Sequence, residues 1–225
     1  MLQPKEGRIK ELLKQHGIDG AIVSSPENFH YVTGFGGHQH TVSRQPGFTL
    51  AVMRADDKAP THITTMDFEA ETFRRKSEGK GFVVDCYDTW VGLKTWAEIA
   101  EGAVLPDKEK MISSRDKLEK FIKECDLSSG RIGVELDYLP VPYYQMLCEM
   151  FPEAEFVNIS DLFVYARSVK TAEEIEMFRK LCRIADHGFT AVAPVDIMDS
   201  EGEISLPVKG GKHLKEDIVG SHYGN

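Results

Sequence analysis

Residues 5–34, KEGRIKELLKQHGIDGAIVSSPENFHYVTG, hold the pattern that decides the fold. Ile9, Leu12 and Leu13 recur at helical spacing, and Gly17 is suited to stop that helix. Ala21-Ile22-Val23 is a short, wholly apolar run, as expected of a strand buried on both faces. Ser25-Pro26 then places a cap residue and a first-turn proline ahead of a short helix that ends at Gly34. Helix, buried strand and helix within thirty residues is the opening of an α/β domain.

The same alternation continues outward from this stretch. Residues 47–53 and 61–65 read as two strands joined through the polar loop Asp56-Asp57-Lys58. Residues 67–78 read as a helix with Asp67 at its start and Gly79 beyond its end. Phe82-Val83-Val84 reads as a strand, and Trp90–Glu101 and Arg115–Cys125 read as helices. Ile132-Gly133-Val134 is a further strand. Pro140 opens a helix carrying Tyr144, Leu147, Cys148 and Phe151. Phe156-Val157 is a last short strand, and Asp161–Ala166 a helical turn. The spacing predicts a mixed β-sheet covered by helices on both faces over residues 1–166, followed by one long helix.

That helix lies within a linker segment, 167–193. Thr171-Ala172-Glu173-Glu174 is a start signature, and Ile175, Phe178, Cys182, Ala185 and Phe189 recur at three- and four-residue intervals. Leu181 and Ile184 widen the stripe, so the helix needs a partner surface. After Pro194 the texture changes to a glycine-rich polar tail, 194–225, in which Ile204-Ser205-Leu206 could make one strand.

Composition narrows the function classes. The net charge of −9 disfavours a nucleic-acid partner, which demands a basic patch. No apolar run approaches the roughly 18–20 residues that span a bilayer, and Met1–Arg8 lacks a secretory layout, which predicts a cytoplasmic chain with no membrane partner. Cys86, Cys125, Cys148 and Cys182 form no CxxC pair and read as buried free thiols. Gly34-x-Gly36-Gly37 lacks both the third glycine of a dinucleotide fingerprint and the lysine of a P-loop.

Two blocks carry a resemblance. The first is Arg8-Ile9-x-x-Leu12, Gly17-Ile18-Asp19-Gly20-Ala21-Ile22-Val23 and Ser25-Pro26-x-Asn28-x-x-Tyr31-x-Thr33-Gly34-Phe35. The second is Ile132-Gly133-Val134-Glu135, Phe151-Pro152, Ser160-Asp161-Leu162, Arg167-Ser168-Val169-Lys170-Thr171 and Glu174-Ile175. In order and spacing they resemble the N-terminal domain of the creatinase, prolidase and Xaa-Pro aminopeptidase family. Most of these residues read as fold-building, with Asn28 and Tyr31 fixing the short helix and its loop.

The resemblance implies that chemistry belongs to a later catalytic domain. Peptidase members hold two divalent metals there with two Asp, one His and two Glu, which activate one water. About 55 residues follow Lys170, so neither that ligand set nor any cofactor is expected in this chain, and no catalytic or metal residue is assigned. Asp196, Asp199, Glu201, Glu203, His213, Glu216, Asp217 and His222 crowd the tail without a visible scaffold and read as solvated.

The implied role is a cap and dimerisation domain, with a homodimer and the parent's catalytic domain as partners. The alternatives are a stand-alone small-carboxylate-binding module or a fragment of an active enzyme. Four residues stand as substrate-contact candidates. Arg44, in Arg44-Gln45-Pro46-Gly47, resembles an arginine that in creatinase-like members reaches the partner subunit's active site, where a guanidinium can clamp a carboxylate. Phe35 would line the same pocket. His38 and His40 alternate in the loop after Gly37, a spacing that would aim both rings one way on a strand.

Overall fold

The computed structural model describes residues 5–56, 58–89, 95–102 and 111–192, together with the backbone of 207–208 and 212–213. The chain divides into two compact units, Met1–Ser168 and Val169–Asn225.

In the first unit, helix α1 (Glu6–Gln15) leads through Gly17, at φ 63°, into strand β1 (Gly20–Val23). Helix α2 (Pro26–Thr33) follows at once. The Ser25 side chain accepts from the Asn28 amide at its start, and Gly34, at φ 75°, closes it in the left-handed conformation that glycine adopts without a steric penalty. Next come α3 (His38–Ser43), β2 (Leu50–Arg54), β3 (Thr61–Met66), α4 (Asp67–Ser77) and β4 (Phe82–Tyr87). The second half adds α5 (Trp96–Ala100), α6 (Ser114–Glu124), β5 (Arg131–Val134), α7 (Val141–Met150), β6 (Glu155–Asn158) and α8 (Ser160–Ser168).

The six strands form one sheet in the order β4-β3-β2-β1-β5-β6. β1, β5 and β6 are mutually parallel, as are β3 and β4, while β2 is antiparallel to both its neighbours. Side chains alternate across the sheet with period two. Ala21, Val23, Ala51, Met53 and Ile63 face one core, filled by Ile9 and Leu13 of α1, Phe29 and Val32 of α2, Phe73 of α4 and Phe163 of α8. Ile22, Leu50, Val52, Ile132 and Val134 face the other, filled by Leu118, Phe121 and Ile122 of α6 and Leu147 of α7. β1 is thus buried on both sides, which explains its unbroken apolar run. Each fully buried side chain of this kind stabilises the fold by about 1.5–3 kcal/mol relative to exposure.

Three readings of the sequence need correction. Residues 38–43 are helical, not loop. HQHTVS has no apolar period to announce a helix. Tertiary bonds hold it instead: Glu69 of α4 accepts from the Gln39 amide at 3.0 Å, and the Thr41 and Ser43 hydroxyls donate back to the Gly37 and Gln39 carbonyls. The turn at 161–166 is a nine-residue helix, α8. The strand at 47–53 begins only at Leu50, because Gly47, at φ 87°, turns the chain first. Residues 90–94 of the expected helix at 90–101, and the expected strand 204–206, lie outside the described residues.

The second unit contains α9 (Ala172–Val192) and a short antiparallel pair, β7 (Pro207–Val208) with β8 (Lys212–His213). Along α9, Phe178, Leu181 and Ile184 are all more than half exposed. No described helix is long and apolar enough to cross a membrane.

Candidate functional site

β1 and β5 are adjacent and parallel, with Ile22 beside Val134. Their carboxyl ends therefore deliver Ser24-Ser25 and Glu135 to the same place. Glu135 is 2% exposed, and five donors converge on its carboxylate. The Ser24 amide and the Ser24 hydroxyl, at 3.0 Å, donate to one oxygen, joined by the Ser25 amide at 2.9 Å. The Ser25 hydroxyl, at 2.5 Å, and Asn28 Nδ2, at 2.6 Å, donate to the other. Burial of a carboxylate is tolerable only with such compensation. The same arrangement leaves no acceptor direction open, so Glu135 is built to hold strands together rather than to take a proton from a substrate.

The cluster reaches further through Asn28, whose Oδ1 accepts from Arg167 Nη1 of α8 at 3.0 Å. Tyr31 donates from its hydroxyl to the Ala166 carbonyl at 3.0 Å. Asn28 and Tyr31 thus tie α2 to β5 and α8, where the sequence suggested bonds within α2 and its own loop. Nothing in either residue's local sequence names a partner more than a hundred positions away. The available signal was the placement of polar residues directly after two buried strands, at Val23 and Val134.

The four substrate-contact candidates do not converge. Phe35 is buried, in edge-on contact with Phe29, Phe73 and Phe82 at centroid distances of 6.1, 5.5 and 6.2 Å. It is a core residue of the unit described here. His38 is exposed, whereas His40 is 1% exposed. Two positions apart on a helix, they project to nearly opposite sides, so the chelating geometry that a strand would give is lost. His40 Nε2 lies 2.9 Å from the Ser24 carbonyl and edge-on to Phe29. A carbonyl can only accept, so Nε2 carries the hydrogen. Nδ1 is buried with no partner. Burial holds the imidazole below its usual range, against the pull of its bond to the Ser24 carbonyl and of Glu135, Glu69 and Glu27.

Arg44 is the exposed member. It ends α3 with φ 50°, a conformation uncommon outside glycine that costs on the order of 1 kcal/mol. Its guanidinium engages both oxygens of Glu27, Nη1 with Oε1 and Nη2 with Oε2 at 3.1 Å. Tyr138 donates from its hydroxyl to the Arg44 carbonyl at 2.8 Å. The hydrogen bond from Arg44 holds the Glu27 carboxyl below the usual carboxylate range. Val42, Phe48 and Val141 are also exposed.

Other reactive groups offer little. Burial pushes the Cys125 thiol up to about 11, far from a nucleophilic thiolate. The expectation of four buried thiols holds for Cys125 alone: Cys86 and Cys148 are half-buried and Cys182 is exposed, and all four are free. Among the described residues no group of three or more His, Cys, Asp and Glu is placed to hold a metal. The acidic and histidine residues of the tail lie outside the described residues, save the backbone of His213.

A mixed sheet with helices on both faces, and strand-end polar groups bonded to one another, defines an α/β domain. The chain belongs to the Creatinase/Prolidase N-terminal domain family, which matches residues 7–169. Creatinase from Bacillus sp. (strain B-0618) is 25% identical over 213 residues, covering 94% of this chain and 44% of the relative. That match extends past Pro194 into the segment whose texture had suggested divergence. Xaa-Pro dipeptidase from Lactobacillus delbrueckii subsp. lactis is 27% identical over 183 residues, covering 81% of this chain and 42% of the relative. The chain therefore spans less than half the length of either curated relative. Among solved structures, a dipeptidase from Pyrococcus horikoshii OT3 shares the fold with a TM-score of 0.59 at 20% identity, covering 86% of this chain and 44% of that one.

Proposed function

We propose that this chain is a non-catalytic cap and dimerisation domain of a hydrolase of the creatinase and Xaa-Pro peptidase class. The observation that carries the reading is the internal saturation of the strand-end cluster: the buried carboxylate best placed for acid–base work accepts five hydrogen bonds from its own domain. The family membership supports it further. Chemistry in the parent would come from a separate catalytic domain, and the two divalent metals expected of peptidase members would belong there. The exposed apolar face of α9, with Phe178, Leu181 and Ile184, is a surface that needs covering, by that domain or by a second copy.

The purified chain is expected to hydrolyse neither Xaa-Pro dipeptides nor creatine, with or without manganese, and to sediment as a dimer. Turnover at enzyme-like rates, or a monomer at every concentration, would overturn the corresponding half of the proposal.

A second reading, a small-carboxylate-binding module, is favoured by Arg44. Its guanidinium already grips one carboxylate through two nitrogens at the surface, and a ligand carboxylate could take the place of Glu27. A carboxylate ligand that binds there is expected to raise the melting temperature of the wild-type chain by mass action, and to lose that effect in Arg44→Ala. An unchanged shift in the variant would place the ligand elsewhere.

A further inference from the structure

We propose that α3 is an acid-released latch: protonation of His40 frees residues 38–43 from the strand ends and withdraws Arg44 from Glu27. The release stands on α3 itself. Its bearing on ligand capture rests on the Arg44 reading given above.

α3 is six residues long, too short to be stable by its own hydrogen bonds. It is held at its first turn by the Glu69 carboxylate on the Gln39 amide, and just before it by Lys76 Nζ on the Gly36 carbonyl at 3.1 Å. In its middle, His40 Nε2 donates to the Ser24 carbonyl. At its end, Tyr138 and Glu27 hold Arg44. His40 is the member of this set whose charge changes in the histidine range, and its second proton costs burial rather than the Nε2 bond.

A second proton on His40 must go to Nδ1, which is buried and has no acceptor among the described residues. Three carboxylates face the ring electrostatically: Glu135 after β5, Glu69 on α4 and Glu27 on α2. Glu135 is saturated by its five donors, Glu27 is paired with Arg44, and Glu69 turns one oxygen to the Gln39 amide while its Oε2 is buried with no partner among the described residues. The nearby cations, Lys76 and Arg167, reach the Gly36 carbonyl and Asn28. In the closed helix no acceptor among the described residues lies within hydrogen-bonding distance of Nδ1. Opening one short helix is a cheaper way to hydrate it than unfolding the sheet.

The sign follows from linkage. Burial lowers the affinity of His40 for a proton in the closed state, while the released ring titrates near 6.5. The open state therefore binds more protons once the pH falls below about 6.5, and the opening equilibrium grows by up to about tenfold per pH unit until the buried ring itself titrates.

Amide hydrogen exchange, corrected for intrinsic rates, tests this. Below about pH 6.5, protection at Thr41, whose amide donates to the Gly37 carbonyl, is expected to fall by up to about tenfold per pH unit while β1 and β5 stay protected. His40→Gln keeps a donor for the Ser24 carbonyl and cannot titrate, so its α3 protection should not change between about pH 6.5 and 5, where carboxylates stay charged. The wild-type imidazole resonance gives a second readout that needs no variant: it should stay neutral below the usual histidine range as long as α3 is protected. Protection of α3 that ignores pH, the same acid loss in His40→Gln, or a ring that titrates near 6.5 inside a protected α3 would each overturn the latch. Acid release should persist in Arg44→Ala, so a failed carboxylate site and a failed latch give different results.

Discussion

Glu135→Ala is expected to destabilise the first unit by about 3–5 kcal/mol, the range found when one partner of a buried charged network is removed. For a unit of this size that lowers the melting temperature by about 6–20 °C. The cause lies less in the lost carboxylate than in what it leaves behind. The Ser24 and Ser25 amides, both hydroxyls and Asn28 Nδ2 would stay buried with no acceptor. Glu135→Gln should be milder than alanine but still damaging, because its amide nitrogen would face donors. Thermal melts of the three chains decide the matter. A loss of less than about 1 kcal/mol in the alanine variant would mean that water replaces the carboxylate without cost, and the cluster could not then be a structural keystone.

The second large effect is expected at Gly20→Ala. A Cβ there would sit 2.5 Å from the Met53 carbonyl oxygen and 2.6 Å from a Leu127 methyl. The carbonyl belongs to β2, paired in register with β1, so it cannot swing aside without disturbing the centre of the sheet. The expected cost is about 3 kcal/mol or more, at the upper end for overpacked cores. Gly7→Ala is the matched control. It lies in α1 with nothing within 4 Å of the added carbon, and should stabilise by about 0.5–1 kcal/mol through helix propensity alone. Chemical denaturation of both variants should give shifts of opposite sign. A neutral Gly20→Ala would show that β1 and β2 adjust more freely than their register implies.

The layered fold was legible because its elements follow periods that a sequence displays. The apolar run at Ala21–Val23, the Ser25-Pro26 start and the Gly34 stop each reflect a local constraint, and each lies where its chemistry puts it. Gly17 and Gly34 were readable as turn glycines for the same reason. Gly20 and Gly133 were not marked as packing positions, since their meaning depends on Met53 and Ile159, distant in sequence. α3 escaped because its stability is tertiary. Glu135 was quoted only as part of a family motif, although a lone acid directly after a buried strand is itself a signal that a buried partner set exists. Arg44 was found, but its pairing with Glu27 was not, because the two meet only through the turn at Gly34 and the helix at 38–43. Phe35 and His40 look like ligand contacts in a glycine-flanked loop. Only the packing of Phe29 and Phe73 reveals them as interior.

The long reach of the Glu135 cluster also governs how the chain must assemble. Ser24 and Glu135 are separated by 111 positions, so β1 cannot close its carboxyl end until synthesis has passed β5. During that interval a strand made for the middle of a sheet has an unclaimed flank. Parallel pairings of this span form slowly, since loop closure precedes any gain from contact. A nascent chain halted before residue 131 would therefore present β1 as a sticky edge, vulnerable to aggregation and a natural substrate for chaperones.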